Sequence, residues 1–211
     1  MSFARSSEAL SALSARTLAY YDSVAEAFER GTREHDVSEN YAALLGAIEA
    51  QPPFAVLDFG CGPGRDLAYF QSRGLEAVGL DGSARFVERA RAMTGAEVLH
   101  QDFLSLALPA ERFHGVFANA SLFHVPTQEL PRVLRELRTA LVPRGVLFCS
   151  NPHGRDTENV ADERYGAFHS PETWRRQVLS AGFSEVEQFY RPSGKPREEQ
   201  PWLASVWRKS D

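Results

Sequence analysis

The chain has 211 residues, 43% of them apolar and 24% charged, with a formal net charge of −5. That size and balance suit one domain with a full hydrophobic core and exclude a largely disordered chain. The acidic balance removes the strong basic footprint of an obligatory nucleic-acid or anionic-membrane partner, and no apolar run is long enough to span a bilayer.

Met1-Ser2-Phe3-Ala4-Arg5 lacks the apolar core of a secretion signal. Cys61 and Cys149 form no CxxC or Cys/His cluster, so the expectation is a reduced, cytoplasmic chain with no metal site. Leu10, Leu13, Thr17, Leu18, Tyr21, Val24 and Phe28 recur at helical spacing, which predicts a helix over 6–30 that stops at Gly31. Ser38 is a candidate N-cap for a second helix whose apolar face is Tyr41, Leu44, Leu45 and Ile48. Pro52-Pro53 closes this helical cap, residues 1–53.

Alternation follows. Strands are predicted over 54–59, 76–80, 97–100, 115–119 and 146–150, with helices over 65–73, 83–93 and 126–141 between them. Residues 151–169 read as a long polar loop, the length expected of a lid. Ser170-Pro171 starts a further helix, with Ser as N-cap and Pro at the first helical position. Strands at 183–190 and 202–207 have no helix between them, so they pair antiparallel. The pattern predicts a single α/β domain over 1–211: a doubly wound, seven-stranded, mostly parallel sheet with its last strand antiparallel, in a core over 54–211. The basic link from Arg191 to Arg197 reads as a charged connection that keeps a sheet end soluble, with contact to an anionic acceptor as the other reading.

The most informative stretch is Val56-Leu57-Asp58-Phe59-Gly60-Cys61-Gly62-Pro63-Gly64-Arg65-Asp66. A buried strand runs into three glycines at alternate positions, and a helix opens behind them. Glycine serves where the backbone needs positive φ or where a ligand must approach without meeting a Cβ. In a doubly wound sheet such a turn lies at the carboxyl ends of the strands, where ligands bind. The spacing departs from the dinucleotide fingerprint, since position 65 is Arg, and no G-x-x-x-x-G-K-[ST] phosphate loop is present.

Asp58-x-Gly60-x-Gly62-x-Gly64 after the first strand, Asp81 ending the second and Asp102-Phe103 ending the third resemble the class I S-adenosylmethionine-dependent methyltransferases over about residues 54–208. The resemblance implies S-adenosylmethionine as the cofactor. It implies that Asp81, with Gly82 and Ser83 beside it, receives the ribose diol, and that Asp102 accepts from the adenine amine with Phe103 against the ring. Asp58 and the turn Gly60, Cys61 and Gly62 would face the methionine end, with Arg65 and Asn119 nearby and Tyr20 or Tyr21 as a cap. Each has a plainer reading: Asp81 as a turn acid, Phe103 as core, Arg65 as a solvated first-turn side chain, Asn119 as a turn former and one tyrosine as helix-face core.

Methyl transfer needs alignment and exclusion of water, and a base only when the nucleophile carries a proton. His124, His153, Tyr165 and His169 are the candidates for such a base or for the acceptor pocket, with Arg155 beside them. The expected activity is methyl transfer to an O, N or S nucleophile of a small molecule, in a monomer or homodimer. The segment after the fourth strand, Asn119-Ala120-Ser121-Leu122, lacks the N-P-P-Y type signature of base and glutamine N-methyltransferases. Two alternatives stay open: a cofactor-binding partner subunit without turnover, and a methyltransferase acting on RNA or protein.

Overall fold

Nine strands and six helices carry the chain in the computed structural model, which describes residues 5–210; the part of the N-terminal signal expectation that rests on residues 1–4 lies outside the described residues. The strands are β1 Ala55–Phe59, β2 Glu76–Asp81, β3 Val98–His100, β4 Phe113–Asn119, β5 Leu141–Pro152, β6 Thr157–Ala161, β7 Arg164–Phe168, β8 Phe183–Arg191 and β9 Trp202–Lys209. The helices are α1 Ser7–Thr32, α2 Ser38–Ala47, α3 Arg65–Ser72, α4 Ala84–Thr94, α5 Leu130–Ala140 and α6 Pro171–Ser180.

Seven strands form one sheet in the order β3-β2-β1-β4-β5-β9-β8. The first five run parallel, and β9 is antiparallel to both β5 and β8. The chain winds outward from β1 to β3 and then returns to the other side of β1. The carboxyl ends of β1 and β4 therefore flank the reversal of winding, where a crevice opens. Because side chains alternate across a strand, Ala55, Leu57 and Phe59 meet α5 and α6, while Val56 meets α2 and α3. Both sheet faces are covered, which is why β1 is buried at every position.

Several local expectations are corrected. Residues 151–169 are not a loop. Strand β5 runs on to Pro152, and β6 and β7 form an antiparallel hairpin. The helix placed at Pro126 starts at Leu130 with Pro131 in its first turn, after a short 3-10 turn at Leu122–His124. Strand β5 begins directly at Leu141, which pairs with Phe113 before the register shifts and Val146 pairs with Gly115. Ser38 is not the cap of α2; it is the first helical residue, and its N–H is accepted by the Asp36 carboxylate at 2.9 Å.

The antiparallel end of the sheet is tied to α6 by one hydroxyl. Ser205 Oγ accepts the indole N–H of Trp174 at 3.1 Å and that of Trp207 at 2.8 Å, all three side chains being buried. Ser205→Ala orphans both donors. It should cost about 1–3 kcal/mol for each donor left unpaired. Urea denaturation checks this, and an unchanged midpoint would contradict it.

Candidate functional site

The glycine turn is pinned through its backbone and lines a cavity. Gly60 and Cys61 N–H both donate to Leu80 O, at 2.8 and 3.0 Å, which pins the turn to the end of β2. Gly64 sits at φ +100 as the residue before α3, and a Cβ there would lie 3.0 Å from Ala90 Cα. Only glycine satisfies both that φ and that approach. In front of the turn lies a cavity of about 590 Å³, the size of a small-molecule site. Its floor comes from the ends of neighbouring strands: Asp102 past β3, Asp81 on β2, Gly60 past β1, Asn119 on β4, Ser150 on β5 and Trp202 on β9. Helix α1 forms its other wall through Ser14, Thr17, Leu18, Tyr21, Phe28 and Thr32, one face of the helix. A Cβ on Gly82 would fall 2.7 Å from the Leu18 Cδ2, so the Leu18 side chain packs directly over this glycine at the β2 end.

Asp81 is the best-defined group. It is buried, its Oδ2 accepts Gly62 N–H at 2.9 Å and its Oδ1 accepts Ser83 N–H at 2.8 Å. Burial pushes its pKa up to about 6, against the opposing pull of the Ser83, Gly62 and Gly82 amides. A carboxylate has about four acceptor positions, so both oxygens can still take a further donor. Asp102 is held alike: Oδ1 accepts Leu104 N–H at 2.8 Å and Oδ2 accepts the Ser14 hydroxyl at 2.7 Å. Phe103 lines the cavity and also stacks on Phe59 in the core, with centroids 4.3 Å apart.

Beyond the turn, the polar groups converge on Asp66. Arg65 forks onto its two oxygens at 2.6 and 3.0 Å, Tyr41 donates to Oδ1 at 2.6 Å, and Asn119 Nδ2 donates to Oδ2 at 3.3 Å. The chain continues from Asn119 to Asn40 (3.0 Å) and from Asn40 to Arg191 (2.6 Å). Burial first, and the Asp66 charge second, push the Tyr41 phenol up. Asp58 lies beneath the turn and does not line the cavity. Burial, with the charge of Asp66 next, raises its pKa well above the carboxylate range, and its Oδ2 has no hydrogen-bond partner.

A methyltransferase-domain family model matches residues 56–145, the segment carrying the glycine turn and both strand-end acids. Malonyl-[acyl-carrier protein] O-methyltransferase of Enterobacter lignolyticus is 30% identical over 173 residues, covering 76% of this chain and 67% of that protein. The chain belongs to the class I S-adenosylmethionine-dependent methyltransferases. Sterol 24-C-methyltransferase of Yarrowia lipolytica is 29% identical over 210 residues, covering 87% of this chain and 52% of that protein. Trans-aconitate 2-methyltransferase of Azoarcus is 36% identical over 118 residues, covering 54% and 45%. The chain thus spans about half the length of these two relatives. The fold matches that of the Burkholderia thailandensis 1,6-didemethyltoxoflavin N1-methyltransferase, solved with 1,6-didemethyltoxoflavin and S-adenosylhomocysteine, at a TM-score of 0.77 and 21% identity over 100% of this chain and 93% of that chain.

Within this methyltransferase fold the predicted site residues divide. Gly60, Cys61, Gly62, Arg65, Asp81, Gly82, Asp102, Phe103, Asn119 and His124 line the cavity. Tyr20 does not. On α1 it is Tyr21 that faces the cavity, while Arg164 lies 4.9 Å over the Tyr20 ring. Ser83 does not line it either, because its hydroxyl donates to Asp22 at 2.6 Å and accepts Phe86 N–H as the N-cap of α4. His153 and His169 line a separate recess of about 10 Å³, too small for a ligand. His153 Nε2 is 3.1 Å from Gln200 O, and Arg155 is exposed. Tyr165 is buried in the hairpin, and its backbone carries the contact to the site. Arg191 lines the cavity, with its guanidinium bonded to Asn40 and to Asp36 O, whereas Lys195 and Arg197 do not line it.

Asp66, Tyr41, Asn40 and Arg191 form the network that sequence reasoning missed. A buried Asn on the apolar face of α2 was the available signal. Asp66→Ala should leave Arg65, Tyr41 and Asn119 without their shared acceptor and destabilise the fold by about 2 kcal/mol or more, with Asp66→Asn intermediate. Thermal and urea unfolding of the two variants check this, and equal stability of all three proteins would contradict it.

Proposed function

We propose that this chain transfers the methyl group of S-adenosylmethionine to a small-molecule acceptor. The observation that carries the proposal is the order of groups along the sheet. From β3 to β9 the cavity passes two acids, a glycine turn, a polar Asn119 corner, and then a region bounded by Ser150, Trp202 and Pro192. Adjacent strands are about 4.8 Å apart, so the floor is long enough for an extended ligand with space beyond it.

Asp81 suits a ribose diol because its two oxygens already point at separate amides and keep room for two hydroxyl donors. Asp102 and Phe103 suit an adenine edge and face. The cavity-facing side of the Gly62 turn, with Arg65 and Asn119, suits the amino acid end. The cofactor supplies a methyl carbon on a sulfonium, an electrophile with its leaving group built in. This chain's part is to hold the donor, align the acceptor and exclude water. Leu13, Leu18, Phe28 and Pro126 provide apolar cover for that purpose. The space toward Trp202 is open rather than filled, which favours turnover over a cofactor-binding subunit with a blocked acceptor site. The relatives named for sterol and trans-aconitate support a small-molecule acceptor by size, without fixing its functional group.

Calorimetry should show S-adenosylhomocysteine binding and no NAD binding; tight NAD binding with none of the sulfonium product would contradict the proposal. The pH dependence follows from Asp81. The ribose donors need the ionised carboxylate, and its pKa in the free protein is about 6. Affinity should therefore be flat above that pH and fall below it by up to about tenfold per unit, with proton release on binding. Asp81→Asn should remove the pH effect and weaken binding by about 1.5 kcal/mol or more.

A further inference from the structure

Tyr21 and His124 both line the cavity, on α1 and on the 3-10 turn after β4, and they are joined by hydrogen bonds that leave little choice of proton position. His124 Nδ1 is 2.7 Å from the backbone carbonyl of Tyr165, and Nε2 is 2.7 Å from the Tyr21 hydroxyl. A carbonyl only accepts, so Nδ1 carries the hydrogen. In the neutral ring, Nε2 is then a lone pair, and Tyr21 must donate to it. The Tyr21 oxygen is left with its own lone pairs as acceptors. Burial, and next the Arg164 charge on β7, bring His124 down to about 4, against the Tyr165 carbonyl, so the ring is neutral and able to accept at pH 7. Burial raises the Tyr21 phenol, while the nearby Arg164 guanidinium pulls the other way; Asp81 and Tyr20 are its other charged or titratable neighbours.

We propose that Tyr21 and His124 form a proton relay, and that the acceptor is therefore a neutral nucleophile with a removable proton, a hydroxyl or a ring N–H, rather than a carboxylate. This rests on the methyl-transfer proposal above. As the acceptor's X–H bond gives way to an X–CH3 bond, the proton passes to Tyr21 Oη and Tyr21's own proton passes to His124 Nε2. The electron pair of the broken S–C bond stays on sulfur. The positive charge lost from the sulfonium reappears on the imidazole, so the net charge in the cavity is unchanged by the step. That balance offsets the low basicity of a buried ring. Tyr21 is the group that meets the acceptor, and His124 acts through it as the positioning and proton-storing residue. A carboxylate acceptor, ionised at pH 7, has no proton for this relay to take.

The test uses the full chain labelled with 15N-histidine, saturated with S-adenosylhomocysteine at pH 7, with the His124 signals assigned through His124→Gln. His124 should show a protonated Nδ1 and an Nε2 lone pair shifted by a hydrogen bond. Tyr21→Phe should move the Nε2 resonance to that of a free lone pair. Phenol, as a protic probe, should shift Nε2 saturably in the parent protein and not in Tyr21→Phe, whereas acetate at the same concentration should not. A proton on Nε2, an Nε2 signal indifferent to Tyr21→Phe, an equal response to acetate, or no response to phenol would each overturn the relay and leave the pair as a packing contact between α1 and the 3-10 turn after β4. Failure of S-adenosylhomocysteine to bind at all would instead bring down the methyl-transfer proposal, and the relay with it.

Discussion

The Asp81 carboxylate accepts the Gly62 and Ser83 amides, and through them it holds the ends of β1 and β2 in a single arrangement. The glycine turn has few side chains of its own, so its shape is set by what its backbone is bonded to. Leu80 O takes two of its N–H groups and Asp81 takes a third. Ser83 then caps α4 and receives Asp22 from α1 by donating its hydroxyl. One buried acid thus fixes the floor of the cavity and, through Ser83, the place where α1 crosses it. A buried carboxylate is costly to hold ionised, which is why three amides surround it and why its pKa still rises.

Helix α1 is as much a part of the site as the sheet. It is fastened at both ends of the cavity: Ser14 to Asp102, Asp22 to Ser83, and Tyr21 to His124. The β6–β7 hairpin and its turn hold α1 and the residues just before it as well. Arg5 bonds Glu158, Arg16 pairs with Glu163, and Thr17 Oγ1 accepts Tyr165 N–H. The hairpin thus braces the helix that walls the cavity, in place of the expected lid loop.

The sheet was legible because alternating apolar runs and 3.6-residue periodicity are local signals, and so were the glycine turn and the acids that end β2 and β3. The hairpin was not legible. Its turn is Asp162-Glu163, both at positive φ, where Asn-Gly or Asp-Gly is the recognisable pattern, and β6 is almost wholly exposed. Pro126 drew the α5 start too early because Pro131 does the same job five residues on. The Asp66 network was hidden for another reason. Its members come from α2, α3, β4 and β8, and hydrogen bonds between distant segments leave no mark on periodicity. Tyr21 rather than Tyr20 faces the cavity, a choice between adjacent residues that only the rotation of α1 on the sheet decides.

The most direct measurement is a crystal structure of the chain with S-adenosylhomocysteine. The ribose hydroxyls should lie within hydrogen-bond distance of the Asp81 carboxylate, the adenine beside Asp102 and Phe103, and the sulfur should point toward the space bounded by Asn119, Ser150 and Trp202. A ribose held by any other acid, or a sulfur directed away from that space, would contradict the assignment of this cavity as the methyl-transfer site.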